Sequence, residues 1–445
     1  MNPQTSCHHP LRFDPDKCDG CMACMRVCPT AAVRVRYKRA WMLADRCIDC
    51  GECIRVCPGR AVVPLTDQMA DLSRFSCRVA IPSPVLYAQF DPDVSPGEVV
   101  AALKLCGFDD VEGPSRACDM VAAATEIFLS EYRGQYPLIS SFCPTVVRLV
   151  QVNYPALVEQ VLPVLAPREV SARDAKARKA AETGLPEERI GAVYITPCPA
   201  KMVAIVEHPG MERSYLDAAV SISDLFRPLA TAIAKAQGGG STAARSETNS
   251  GVNWAFLGLL PRSLPAADSL SVAGLANVIR ILDDVEKGKL RGYRFIECHA
   301  CGEGCVSGCL TVENPYVARS KTIRLTQKLP AASPELRSEV ERRWRNGEFS
   351  IDTAFSARPL RPLDENISAA IAKMTQKEAL LAELPGIDCG ACGAPSCHAF
   401  AEDVVQGEAD RRTCVFSLQR ALAAQVEELM SLVQGTPRSA GGEGL

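Results

Sequence analysis

The chain has 445 residues, of which 47% are hydrophobic, and its formal net charge is −3. At about 150 residues per domain this length predicts about three domains, and the near-neutral charge excludes a general attraction to nucleic acid or to anionic membranes. Neither a signal peptide nor an apolar run of about 18 residues is found, so we expect a cytoplasmic protein without a membrane span.

Twenty-two cysteines are an unusual number for such a chain. Disulfides are rare in reducing compartments, whereas soft thiolate ligands bind zinc and iron–sulfur clusters there. The spacing of the cysteines is therefore the best guide to the chemistry of each segment.

The first segment contains the pattern Cys-x2-Cys-x2-Cys-x3-Cys-Pro twice, beginning at Cys18 and at Cys47. Close spacing lets one loop hold three corners of an iron–sulfur cubane, and a zinc ribbon, the alternative, does not use two linked runs of this form. The pattern resembles that of two-cluster bacterial ferredoxins, which implies an α+β ferredoxin domain over residues 1–76. In that family the fourth cysteine of each run binds the other cluster, so the implied ligand sets are Cys18, Cys21, Cys24 and Cys57, and Cys47, Cys50, Cys53 and Cys28.

Residues 34–39, RVRYKR, alternate basic with apolar or aromatic side chains. We interpret them as the solvated face of a strand. A docking patch for an acidic redox partner is the alternative.

Residues 77–365 alternate between strand-like and helical patterns. The predicted strands are 77–90, 136–142, 190–197 and 293–297, and the predicted helices are 97–108, 117–133, 144–154 and 275–288. This alternation predicts α/β layers with largely parallel strands, and the glycine-rich segment 234–251 is expected to be a surface loop.

Three of the predicted strands end in a cysteine loop. The loops read Ser141-Phe-Cys143-Pro, Pro197-Cys198-Pro-Ala-Lys201 and Ala300-Cys301-Gly-Glu-Gly-Cys305. In order and in position these motifs resemble the three signatures of the [FeFe]-hydrogenase catalytic domain. The resemblance implies a two-lobed α/β centre and an H-cluster, which is a [4Fe-4S] cubane joined to a diiron unit carrying CO and cyanide.

Carried over to this chain, the resemblance assigns the cubane to Cys143, Cys198, Cys301 and Cys305, with Cys305 as the bridge to the diiron unit. Lys201 matches the family lysine that donates a hydrogen bond to a cyanide ligand. Cys305 and Lys201 are therefore the expected catalytic residues.

The chain also departs from the family pattern. Phe142 stands where many active hydrogenases have a proton-relaying cysteine, Ala204 replaces a glutamate, and His299 replaces a methionine. These changes resemble the divergent, sensory branch of the family and imply slow turnover. Cys298 and Cys309 have no family role; we interpret them as packed thiols, with tuning or ligation of an unusual cluster as the alternative.

A last group of cysteines, Cys389, Cys392, Cys397 and Cys414, follows near the end of the chain. Their spacing and the glycines between them resemble a small four-cysteine [4Fe-4S] domain, with zinc as the alternative metal. We expect this mostly helical domain to span residues 366–433 and to be followed by a disordered tail, 434–445.

Together these patterns predict an anaerobic iron–sulfur oxidoreductase with four [4Fe-4S] clusters and, if the diiron unit is present, a complete H-cluster. The expected function is slow, reversible H2/proton redox chemistry or H2 sensing, with electrons exchanged with a ferredoxin-like partner. The alternative is a non-catalytic electron-transfer or scaffold protein with only a cubane at the central site.

Overall fold

The computed structural model describes residues 9–236, 247–256 and 266–435. They form two compact units. The larger unit contains residues 9–12, Cys47–Arg55 and Val62–Pro359, and the smaller unit contains Phe13–Arg46, Val56–Ala61 and residues 360–435.

The strands of the described residues are short, and most lie in the larger unit. In chain order they are β1 Leu11–Phe13, β2 Val33–Arg36, β3 Arg39–Met42, β4 Val62–Pro64, β5 Cys77–Pro82, β6 Asp110–Val111, β7 Leu138–Ile139, β8 Ile190–Thr196, β9 Ala218–Ser221, β10 Ser269–Ala273, β11 Phe295–His299 and β12 Gly302–Cys305.

The helices range from single turns to more than five turns. In chain order they are α1 Ala23–Arg26, α2 Glu52–Val56, α3 Pro96–Leu105, α4 Ser115–Glu131, α5 Pro144–Asn153, α6 Pro167–Thr183, α7 Pro199–Glu207, α8 Ile222–Ala236, α9 Asn249–Asn253, α10 Leu275–Glu286, α11 Pro315–Thr326, α12 Glu335–Arg345, α13 Ile367–Glu383, α14 Cys397–Val405 and α15 Val415–Gly435. Among the described helices, none is both long enough and apolar enough to cross a membrane.

Two parallel sheets form the centre of the larger unit, so the predicted α/β class is confirmed. One has the order β6-β5-β8-β9 and the other the order β10-β11-β7. All seven residues of β8 are buried, which explains its uninterrupted run IGAVYIT, since a parallel strand is covered on both faces.

Side chains of β5 alternate between two hydrophobic cores. Val79 and Ile81 face a core shared with Ala172 of α6, whereas Ala80 faces a core that contains helices α3 and α8. The second sheet behaves in the same way, because Ile296 packs in the core with α5 and α10 while Phe295 packs in the core with α4. Each sheet is therefore a middle layer between helices.

The predicted strand 77–90 is too long at its C-terminal end. β5 stops at Pro82, and residues Pro84–Gln89 form a 3-10 helix. Pro82 and Pro84 have no N–H to donate to a sheet, which ends the strand. The predicted loop 234–251 lies partly outside the described residues; at its edges, 234–236 belong to α8 and 249–251 to α9. Of the predicted tail, 434–435 belong to α15 and 436–445 lie outside the described residues.

The smaller unit joins the hairpin β2–β3 with helices α13 to α15. Its hairpin is antiparallel, and Val35 donates a backbone hydrogen bond of 3.0 Å to Gly393 in the four-cysteine loop. Gly393 has φ +79°, and a Cβ there would lie 2.0 Å from the Val35 carbonyl oxygen. This position therefore requires glycine.

Arg34 and Arg36 are not a solvated face or a docking patch, so both interpretations of RVRYKR are wrong for these residues. Arg34 is only 1% exposed and donates to both carboxylate oxygens of Asp403, at 2.7 and 3.0 Å. Arg36 donates to Asp403 and, at 3.3 Å, to the carbonyl oxygen of Cys392. The local pattern predicts that Arg34 is exposed. Its charge is instead neutralised by Asp403, a buried acid 369 positions later in the chain.

Candidate functional site

Three strand ends of the larger unit carry the cysteines of the predicted central site. Cys143 follows β7 and caps α5, and Cys198 follows β8 and caps α7. Each of these helices begins with proline, which has no N–H to leave unpaired in a first turn. Cys301 and Cys305 follow β11 and border the short strand β12.

The structure brings these four cysteines together. Burial raises the pKa of the Cys198 thiol to about 11, with further effects from Lys201, Cys305 and Cys143. Burial also raises the pKa of Cys301, and Cys198, Cys143 and Cys305 add to the increase. A group of four neighbouring thiols is suited to a cation, because iron binding displaces thiol protons.

Lys201 lies beside Cys305. Its Nζ is 3.5 Å from Cys305 Sγ and 3.4 Å from the hydroxyl of Tyr194. Burial lowers the pKa of this lysine, but Cys305 and Tyr194 raise it above its ordinary value. Lys201 is therefore a buried, permanently charged hydrogen-bond donor.

Cys305 differs from the other three in its electrostatics. Burial raises its pKa, but Lys201 and the contact with His299 outweigh burial and lower it to about 6. As a free side chain it is therefore mostly a thiolate at neutral pH, which is the form that binds metal.

Glu297 and His299 form a polar pair on the other side of Cys305 that the motifs did not predict. His299 Nδ1 is 4.0 Å from Cys305 Sγ, and its Nε2 is 3.3 Å from Glu297 Oε1. Ser271 donates to Glu297 at 3.0 Å. Burial lowers the His299 pKa, but Cys305 and Glu297 raise it to about 10, so His299 is a cation. From the sequence, His299 was recognised only as a departure from the family pattern, and Glu297 only as the end of a predicted strand.

A largely apolar cavity of about 70 Å³ adjoins these groups. Its polar lining includes Lys201, Glu297, His299 and Cys305, and it also reaches Cys118. Phe142 lines the cavity too and packs edge-on against Trp254, with ring centroids 5.2 Å apart. Phe142 and Trp254 thus form an aromatic part of the cavity wall.

The two cysteines without a family role lie in different surroundings. Cys298 is fully buried on β11, and its backbone N–H donates a hydrogen bond of 2.9 Å to the Ser140 hydroxyl oxygen. Cys309 lies against Gly51, where an added Cβ would be 2.2 Å from its Sγ. Burial raises the pKa of Cys309, and both Cys198 and Cys50 contribute to the increase. Cys309 therefore lies near a predicted ligand of the central cubane and near one of a ferredoxin cluster.

The loop Cys47–Arg55 is part of the larger unit and contacts the segment that follows Cys305. Arg55 donates to the Ser307 carbonyl at 2.6 Å, and Asp49 forms a buried ion pair with Arg148 of α5. Cys47 has a pKa raised by burial, with Asp49 and then Cys50 and Cys53 adding to it. Cys28, the fourth member of this predicted ligand set, belongs to the smaller unit.

The other two predicted ligand sets lie within the smaller unit. Burial raises the pKa of Cys24 to about 11, and Cys18, Cys21 and Cys57 contribute, so this set is close together. Cys389, Cys392, Cys397 and Cys414 line one small cavity. Burial raises the pKa of Cys392, and Cys414 and Cys389 add to it.

Comparison with protein families matches three parts of the chain. The model described as the iron-only hydrogenase large subunit, C-terminal domain, matches residues 77–252 and 263–309, about half of the chain. A 4Fe-4S dicluster domain matches residues 10–58, and a domain described as an Fe-S cluster matches residues 384–416.

Among curated proteins, iron hydrogenase 1 of Clostridium pasteurianum is 28% identical over 144 residues, which are 31% of this chain and 25% of that protein. The chain thus spans about a quarter of the length of this relative. Two solved structures match with a TM-score of 0.50 at 16% identity, covering 66% of this chain and 97% of theirs. They are the [FeFe]-hydrogenase HydA(deltaEFG), whose structure reports stepwise H-cluster assembly, and a variant of the [FeFe]-hydrogenase HydA1 from Chlamydomonas reinhardtii.

Proposed function

Because the chain belongs to the iron-only hydrogenase large-subunit family and carries iron–sulfur domains, we propose that it interconverts H2 and protons slowly, or senses H2, at an H-cluster. The observation that carries this proposal is the arrangement of Lys201, His299 and Cys305 around one cavity beside three further cysteines. A cubane alone would need the cysteines but not the cavity or the cationic side chains that line it, which are Arg168, Lys201 and His299.

The proposed cofactors are four [4Fe-4S] clusters and a diiron unit. The ligand sets and the module boundaries at 76, 365 and 433 are those inferred from the cysteine motifs. For the central cubane we propose Cys143, Cys198, Cys301 and Cys305, with Cys305 bridging to the diiron unit. The cavity supports this assignment, since its volume exceeds by several times the roughly 10–15 Å³ that one water needs and its wall is mostly apolar.

A diiron unit would supply an open iron position at which H2 is polarised. The protein's own part is positioning and charge. Lys201 lines the cavity and would donate a charge-assisted hydrogen bond to a cyanide ligand there, and Phe142 with Trp254 would exclude water from one side. His299, held by Glu297, places a second positive charge beside Cys305.

Electrons would enter or leave through the loop Cys47–Arg55. This loop is anchored to the larger unit by the Asp49–Arg148 ion pair and by Arg55, and Gly51 lets it approach Cys309 closely. A cluster held by this loop would be the nearest partner for the central cubane. We propose a ferredoxin-like protein in the cytoplasm as the external electron partner.

A second candidate function is non-catalytic electron transfer or scaffolding with a cubane only. Phe142 favours it, because a phenyl ring cannot move a proton where the family uses a thiol. Ala204 also lacks the family carboxylate, and Glu207, the nearest glutamate, is occupied in ion pairs with Arg148 and Arg358.

Infrared spectroscopy separates the two candidates. Anaerobic protein produced with hydrogenase maturation enzymes should show bands of iron-bound CO and cyanide. Cys305→Ala should abolish these bands because it removes the proposed bridge, whereas Cys106→Ala, which removes a thiol that is not part of the cavity lining, should leave them unchanged. If matured wild-type protein shows no such bands, the electron-transfer function replaces the enzymatic one.

A further inference from the structure

A second cavity lies directly behind the wall of the central one. Its volume is about 380 Å³, and its lining includes Ser115, Asp119, Ser171 and Glu247. Ser171 also lines the central cavity, and Cys118, which lines the central cavity, is preceded and followed on α4 by residues that line the outer one. The two cavities therefore share Ser171 as a wall residue, and α4 contributes to the lining of both.

Glu247 is a buried carboxyl group on the outer side of this wall. It is only 4% exposed and accepts hydrogen bonds from Tyr87, at 2.8 Å, and from Ser115. Burial raises its pKa to about 7, although these two hydrogen bonds oppose the increase. Such a group both accepts and releases a proton near neutral pH.

Cys118 connects Glu247 electrostatically with the central site. Its pKa is raised by burial and further by Asp119 and Glu247, while Lys201 lowers it and Cys305 raises it again. The thiol therefore lies within the influence of Glu247 on one side and of the Lys201–Cys305 pair on the other. The charged and titratable groups around Glu247 or lining the same cavity are Tyr87, Glu112, Arg116, Cys118, Asp119, Asp174 and Arg178.

We propose that Glu247 relays protons between the central and outer cavities by way of the Cys118 thiol. The proposal rests on the proposed function and gives this chain a route that replaces the one closed by Phe142. When H2 is split into two protons and two electrons, the electrons pass through the iron–sulfur clusters to an oxidised ferredoxin-like acceptor. Each proton passes to Cys118, which gives its own proton to Glu247, and Glu247 releases one to water in the outer cavity. Thiol and carboxylate end in their starting states. Because Glu247 exchanges protons with the central site only through Cys118, it is a positioning residue and not a catalytic one.

The test compares Glu247→Gln, Glu247→Asp and a control, Glu182→Gln, which removes an exposed carboxylate of α6 outside both cavities. In matured protein with intact CO and cyanide bands, Glu247→Gln should lower H2 turnover at pH 7 by roughly 10²-fold and remove the pH transition near 7. Glu247→Asp should recover part of the rate, and the control should match wild type.

A second readout does not depend on turnover. Infrared difference spectra can be recorded on protein without the diiron unit across pH 5 to 9. They should show the C=O band of a buried carboxylic acid, and this band should disappear with a midpoint near pH 7. The band should be missing in Glu247→Gln. Cys118→Ala should lower turnover while Cys118→Ser, which keeps a hydroxyl, should retain it. Unchanged turnover and pH profile in Glu247→Gln, or the same band in that variant, would overturn the relay. If matured wild type shows no CO and cyanide bands, the proposed function fails and the relay fails with it. If only the relay is wrong, those bands remain intact.

Discussion

Replacing Asp403 with alanine should destabilise the smaller unit and loosen its C-terminal cysteine cavity. Asp403 is 2% exposed and neutralises Arg34, which is 1% exposed, together with Arg36. Without the carboxylate two guanidinium groups lose their counter-charge, and one of them has almost no access to water. Arg36 also holds the Cys392 carbonyl, so its displacement would disturb a proposed cluster ligand.

The size of the effect follows from the contacts. Removing one partner of a buried ion pair costs about 3–5 kcal/mol. Three charge-assisted hydrogen bonds at about 1.5–3 kcal/mol each would suggest more, but Arg34 keeps its bond to the Ala31 carbonyl and Arg36 keeps one to Glu408. We expect a loss of about 4 kcal/mol, which for a unit of this size lowers its Tm by roughly 15 °C.

Anaerobic thermal unfolding, followed by cluster absorbance and by tryptophan fluorescence, measures this loss. Trp41 reports locally, because the Arg36 guanidinium lies 5.5 Å from its ring centroid. Asp364→Asn, which alters a half-exposed ion pair with Lys373, is the matched control and should change stability by less than about 1 kcal/mol. Arg34→Met combined with Asp403→Met should recover much of the loss, since no buried charge of that pair remains. An Asp403→Ala protein that unfolds within about 1 kcal/mol of wild type would refute the reasoning.

Four further predictions concern the proposed site and its clusters. Phe142→Cys places a thiol at the cavity wall, so H2 production should rise relative to both wild type and Phe142→Ala; no rise would show that proton delivery does not limit turnover. Gly51→Ala places a Cβ 2.2 Å from Cys309 Sγ, at a residue with φ +75°. Stopped-flow absorbance should therefore show slower reduction of the central cubane by the ferredoxin clusters. Adding Cys309→Gly to the same chain should restore the rate. Iron analysis of anaerobic protein should give about sixteen atoms, plus about two with a diiron unit, and Cys392→Ala should lose about four. Burial raises the pKa of Glu247 from 4.5 to about 7, so the folded protein binds this proton more tightly than the unfolded chain does. The resulting stabilisation is complete below pH 4.5, and about 3 kcal/mol of the free energy of unfolding is lost as pH rises through 7. Denaturant unfolding of Glu247→Gln should not show this decline.

The elements that local pattern determines were predicted well. The buried run IGAVYIT, the proline-initiated helix after Cys143 and the apolar period of 275–288 each specify their own backbone, and the structure has β8, α5 and α10 at these places. Family membership and the α/β class were predicted for the same reason, since three short motifs at strand ends can be read from neighbouring residues alone. The strand predicted over 77–90 was wrong beyond Pro82, where the missing N–H groups of proline outweighed apolar composition.

The tertiary structure decided which partners the charged and titratable side chains have. RVRYKR by itself indicates exposure, and only the packing of Asp403 against Arg34 makes that arginine one of the most buried side chains. In the same way, only tertiary contacts make Glu297 the partner of His299 and pack Phe142 against Trp254. They also place the Glu247 carboxyl group beside Ser115 and Tyr87. The cysteines could be found from sequence because their ligand chemistry is written in short, regular spacings. The charge and proton environment around them could not, because it arises from contacts between residues far apart in the chain, whose strength depends on burial that no local pattern contains.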